Sequence, residues 1–159
     1  LMVNVKIVAV GKIKESFHRE EINELVKRLS RYCKLSIIEV DEYKLKDDSD
    51  KMIELTLIKE GEALLKQIKS DEYVFLLDLH GSEMSSEKLS LEMDKLISSG
   101  RNITFVIGGS YGLSSSVRER SNVRLKISPM TFTHQMCRII ILEQIYRSFK
   151  IINKESYHK

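Results

Sequence analysis

Two stretches of this chain are apolar almost without a break: Tyr73–Leu79 (YVFLLDL) and Ile103–Ile107 (ITFVI). A strand with one wet face alternates apolar and polar residues, because successive side chains point to opposite sides. A strand that does not alternate has both faces covered, as in a parallel sheet sandwiched between helices. Val3–Val10, Lys34–Val40 and Val123–Ile127 read as three further strands. Helical spacing lies between them. Lys14–Tyr32 carries Ile22, Leu25, Val26 and Leu29 on one face, and Lys51–Ile68 carries Ile53, Leu57, Leu64 and Leu65. Ser85 or Ser86 caps a helix that runs to Ser98, and Ser114–Arg120 and His134–Ile152 complete the set. The order βαβαβαβαβα predicts an α/β fold, a parallel sheet with helices on both faces. Residues 41–50, 80–85 and 128–133 are expected loops, and 153–159 a tail.

With 159 residues, one proline and seven glycines, the chain suits a single domain over residues 1–159. Cys33 and Cys137 stand far apart with no C-x-x-C spacing, so they read as reduced thiols, with no disulfide and no metal site. Leu1–Val10 alternates and does not look like a signal peptide. No apolar run approaches the ~20 residues that cross a bilayer. A cytoplasmic protein with no membrane partner is the expectation. The net charge of +3 is unevenly spread: residues 100–159 carry +7 and residues 1–99 carry −4. A basic third on a near-neutral chain points to a phosphate-rich partner, with nucleic acid the obvious class.

In open α/β sheets, ligands bind beyond the carboxyl ends of the strands. Three such ends stand out: Leu79–Gly81, Gly108–Gly112 and Ser128–Phe132. Gly108-Gly109-Ser110-Tyr111-Gly112 is neither the dinucleotide fingerprint nor a P-loop, yet its glycines allow close backbone approach to a ligand. Pro129 stiffens the next loop, so its backbone can face a heterocycle while Met130 and Phe132 pack on it. His134 and Arg138, four apart, share one face at the start of the last helix. That helix is apolar on every side over Ile139–Leu142, which implies burial all round. The tail Ser156-Tyr157-His158-Lys159 could stack on a base and meet a phosphate. Paired carboxylates, H-E-x-x-H and a nucleophile elbow are all missing from the sequence.

Taken together, several motifs resemble the bacterial ribosomal large-subunit pseudouridine methyltransferase H family of the SPOUT superfamily. They are A-V-G-K at Ala9–Lys12, L-D-L-H-G at Leu77–Gly81, S-S-E at Ser85–Glu87, F-V-I-G-G-S-Y-G-L at Phe105–Leu113, S-x-M-T-F at Ser128–Phe132, H-Q-M-x-R at His134–Arg138, E-Q-x-Y-R at Glu143–Arg147 and the terminal Y-H-K. They span essentially the whole chain in matching order. The resemblance implies a homodimer with a C-terminal trefoil knot, the knot and donor site lying within about residues 73–159. It implies methylation of N3 of pseudouridine 1915 in 23S ribosomal RNA on the assembled ribosome, with S-adenosyl-L-methionine as donor and no metal. The donor pocket it implies comprises Leu77, Gly108, Ile127, Ser128, Pro129, Met130, Thr131 and Phe132. One position departs from the pattern: a proline commonly precedes the family's histidine, and here Thr133 stands there.

Methyl transfer at N3 requires loss of the N3–H proton, helped by a base or by groups that stabilise the developing anion. The catalytic candidates are His134, Arg138, Tyr157 and His158, with the tail expected to reach across the dimer. The residues leave two other readings open: a non-enzymatic ribosome-associated RNA-binding module of the same fold, and a flavodoxin-like nucleotide-binding protein.

Overall fold

The computed structural model describes residues 2–159. Five strands form one sheet: β1 (Asn4–Val10), β2 (Lys34–Val40), β3 (Tyr73–Glu83), β4 (Ile103–Ile107) and β5 (Val123–Lys126). Their order is β2-β1-β4-β3-β5, and every pairing is parallel. Five helices alternate with them: α1 (Ser16–Leu29), α2 (Asp50–Leu65), α3 (Ser86–Ser98), α4 (Ser115–Arg120) and α5 (His134–Ile152). The α/β architecture expected from the strand pattern is the one observed.

The unbroken apolar strands are central and covered on both sides. Ile7, Phe75 and Phe105 face one layer, built from α1, α3 and α5; Phe75 and Phe105 stack with ring centroids 4.9 Å apart. Val8, Leu76 and Val106 face the other, where Leu64 of α2 and Val117 of α4 close the core. The apolar face of α5 buries Ile141, Leu142, Ile145, Tyr146 and Phe149. Ile139 and Ile140 are only half-buried, so the helix is not enclosed all round within one chain.

Three helices start on a serine whose hydroxyl accepts a backbone N–H: Ser49 from Met52, Ser85 from Lys88 and Ser114 from Val117. Such a side chain satisfies one of the donors a helix leaves free at its first turn. Thr133 does the same for α5, accepting from Met136 N at 3.2 Å. Where a proline is common, this chain therefore has a side-chain cap, which proline cannot supply.

One boundary moves. Residues 80–83, an expected loop, continue β3. Pairing with β5 breaks after Leu77 and resumes with Ser82 opposite Leu125 and Glu83 opposite Lys126. Gly81 makes this possible, because a Cβ there would overlap the backbone of Arg124.

Candidate functional site

The carboxyl ends of β3, β4 and β5 open on one cleft of about 660 Å³. Its walls bring together the three strand ends singled out in the sequence. Leu77 and His80 come from β3, Gly108–Gly112 from the loop after β4, and Ile127, Ser128, Met130, Thr131 and Phe132 from the loop after β5. Seven of the eight expected donor-pocket residues thus share one cavity. Pro129 is in the same loop but is exposed and not part of the wall.

The glycine loop owes its path to missing side chains. A Cβ on Gly108 would lie 2.7 Å from Gly112 O and from Leu113 Cδ2, closer than packing allows. Gly112 has φ +102°, a conformation other residues rarely adopt, and donates its N–H to Gly109 O at 3.2 Å. No atom lies within 4 Å of the point where its Cβ would be, so the loop presents bare backbone. Across the cleft, Ser128 Oγ accepts from Met130 N at 3.0 Å and tightens the loop. Met130 is 75% exposed and Phe132 43%, an unusual display for large apolar groups. A shaped cleft with bare backbone on one side and free apolar side chains on the other suits a ligand with a flat heterocycle.

His134, at the first position of α5, also lines the cleft. Burial holds its imidazole below the ordinary pKa of 6.5; Glu42 pulls it up, while Arg138 and Lys14 push it further down. A neutral imidazole at pH 7 can accept a proton.

Asp78, not singled out from the sequence, anchors the cleft wall from β3. It is 5% exposed, accepts from His80 N at 2.9 Å, and pairs with Arg118 at 3.2 Å and Arg124 at 3.0 Å. Burial pushes its carboxyl pKa up, but the His80 N–H and the two arginines outweigh that and hold it below the usual range. The available signal was one acid inside the otherwise apolar YVFLLDL: a buried charge is tolerated only when paired.

The other three catalytic candidates are placed elsewhere. Arg138 is 1% exposed; Nη1 pairs with Glu39 and Nη2 donates to Gly11 O at 3.0 Å, at the ends of β2 and β1. It is not in the wall of the main cleft. Tyr157 and His158 fold back on their own chain. Tyr157 donates to Glu143 Oε1 at 3.0 Å, with the Arg147 guanidinium 4.8 Å above its ring. His158 lies 2.6 Å from Glu87 and 3.1 Å from Arg147. Glu143, Arg147, Tyr157 and His158 therefore form a second polar cluster outside the cleft. Its four members come from two of the motifs, E-Q-x-Y-R and Y-H-K.

Comparison with known proteins adds the family. The family model described as a predicted SPOUT methyltransferase matches residues 3–158. A protein of Methanococcus maripaludis is 50% identical over 159 residues, covering 99% of this chain and all of the relative. A Clostridium tetani protein named ribosomal RNA large subunit methyltransferase H is 49% identical over 159 residues, again 99% of this chain and all of the relative. A Clostridium botulinum protein of the same name is 48% identical with the same coverage. With a match over nearly its whole length and relatives of the same length, the chain belongs to the SPOUT methyltransferase family.

Proposed function

We propose that this protein methylates N3 of pseudouridine 1915 in 23S ribosomal RNA, acting as a homodimer on the assembled ribosome. The observation that carries the proposal is the cleft itself, in a chain about half identical to proteins named as large-subunit ribosomal RNA methyltransferases. S-adenosyl-L-methionine fits the donor set: bare backbone at Gly108–Gly112 for polar edges, and Met130, Phe132 and Ile127 for the adenine faces. Bound there, it supplies an electrophilic methyl group on a sulfonium.

The chain's own residues do the rest. The two loops hold the donor, and a positioned reactant removes much of the barrier that orientation would otherwise impose. His134, neutral at pH 7, accepts the N3 proton of the target base. Tyr157 and His158, carried on the tail, complete the site from the partner protomer. Arg138 acts at one remove: its charge adds to burial, the larger cause, in holding the His134 pKa down. A C-terminal trefoil knot within about residues 73–159 belongs to the same proposal. It is supported by the crossing from β4 over β3 to the outer strand β5, and by the return of α5 onto α1 and α3.

The deciding experiment adds labelled methyl donor to ribosomes that lack the modification and locates the label by mass spectrometry. Label on N3 of pseudouridine 1915 is the expected result. No label in 23S RNA would sink the proposal.

A further inference from the structure

A second cleft, of about 300 Å³, opens at the carboxyl ends of β1 and β2, beside the first turn of α5. Lys12 enters it from the end of β1, Arg19 and Asn23 from one face of α1, and Arg138 from α5. Three isoleucines make up its apolar walls. One acid, Glu39, is present, and its carboxylate is already engaged by Arg138 and by Ile13 N. Among the described residues, Lys12 and Arg19 have no ion-pair partner within 4 Å, and the fully buried Arg138 has no partner for its Nε. With the charge of Arg138 balanced by Glu39, Lys12 and Arg19 leave two positive charges uncompensated, and the buried Arg138 Nε keeps a free donor: the site lacks an anion. The apolar walls lower the local dielectric and raise the value of filling it.

The placement says which anion. His134 lines the donor cleft and Arg138 lines this one, a single helical turn apart. Lys14 N, next to Ile13 of the second cleft, donates to Gln135 Oε1 on that same turn. A polynucleotide with a base in the first cleft would have its backbone beside the second. Guanidinium groups and lysine are the usual ligands of phosphate oxygens.

We infer that the cleft of Lys12, Arg19, Asn23 and Arg138 holds one phosphodiester of the RNA substrate and so sets the register of the target base. This rests on the RNA-methylation reading above. The test compares the double variant Lys12→Ala/Arg19→Ala with the control Lys44→Ala/Lys51→Ala, which removes the same charge elsewhere. Both of the tested side chains are exposed, so folding is not at risk.

Binding to unmodified large ribosomal subunits is measured across a salt series, and donor binding by calorimetry. The double variant is expected to bind the subunits about tenfold more weakly. Its log K against log salt slope should be shallower by about 1, the signature of one lost phosphate contact. Donor affinity should be unchanged, and Arg19→Lys should retain most of the binding. If the double variant binds subunits like its control, the inference is wrong. It is also wrong if inorganic phosphate raises the Tm of the wild type but the double variant loses no RNA affinity, which would mark a pocket for small anions only. A wild-type protein that neither binds nor methylates the subunits would instead overturn the RNA reading and this inference with it.

Discussion

At the residue scale, two ionisable side chains give opposite pH signatures. Glu60 is 4% exposed and accepts one hydrogen bond, from Tyr43 N at 3.0 Å. Burial raises its carboxyl pKa above the ordinary 4.5, with Glu42 adding to the rise and the Tyr43 N–H opposing it. A carboxyl that is a weaker acid when folded costs stability as pH rises through that raised pKa, because the unfolded chain ionises first. Glu60→Gln should therefore raise Tm at pH 7 and change it little near pH 4, measured by scanning calorimetry. A gain that is equal at both pH values would mean that burial of charge is not the cause. His134 carries the other signature. Burial holds its pKa below 6.5, so at any given pH it is neutral more of the time than an exposed histidine. The acid limb of the pH–rate profile should fall below pH 6.5, and His134→Ala should lower kcat about 100-fold or more, by loss of general base catalysis, with donor affinity kept. Asp78 belongs to the same scale: it shapes the cleft through two arginines that lie 40 and 46 residues further along the chain. Such pairs are invisible to periodicity, since nothing local distinguishes Arg118 and Arg124 from other basic residues.

At the element scale, the sequence revealed most of what the structure contains. All ten elements are where the apolar spacing puts them, within a few residues at each end. Covered strands and amphipathic helices each leave a local periodic trace, and serine caps mark three of the five helix starts. What spacing could not supply was order across the sheet, where β1 lies beside β4 and β5 beside β3. Nor could it show that β3 runs through Gly81. That contact is made with Arg124, and only the built sheet shows why a side chain is forbidden there. Gly81→Ala should destabilise the protein by about 1–3 kcal/mol, the usual range for overpacking a close contact. Urea denaturation would read the loss, and wild-type stability would show that β3 and β5 separate at no cost. The loops that line the cleft were legible because strand ends and glycines are local signals. The docking of the tail on Glu143, Arg147 and Glu87 was not legible, because it depends on α3 and α5 packing together.

At the scale of the whole molecule, the four catalytic candidates lie in three places on one chain, with Arg138 in the second cleft. The main cleft holds His134, while the Tyr157–His158 cluster lies outside it. On the proposed dimer each cleft is completed by the other protomer's tail. Removing residues 156–159 should then abolish most methylation, about 100-fold or more, and leave donor binding intact. Mixing the tail-deleted chain with His134→Ala should restore part of the activity, because hybrid dimers contain one complete site. No recovery in the mixture would place both groups in one protomer. The sheet order also bears on how the molecule comes to exist. Synthesis delivers β1 before β2, which can pair with it within some thirty residues, and long before β4. The other edge of β1, with Val5, Ile7 and Ala9, has to wait for β4, whose Ile103 lies opposite Val5. At about 5–20 residues per second, roughly 5–20 s pass before that partner leaves the ribosome. For that interval the nascent chain displays an unpaired apolar strand edge, and the parallel pairing that removes it is slow to form. The placement of β1 beside β4 is thus expected to slow refolding and to lengthen the exposure of that edge.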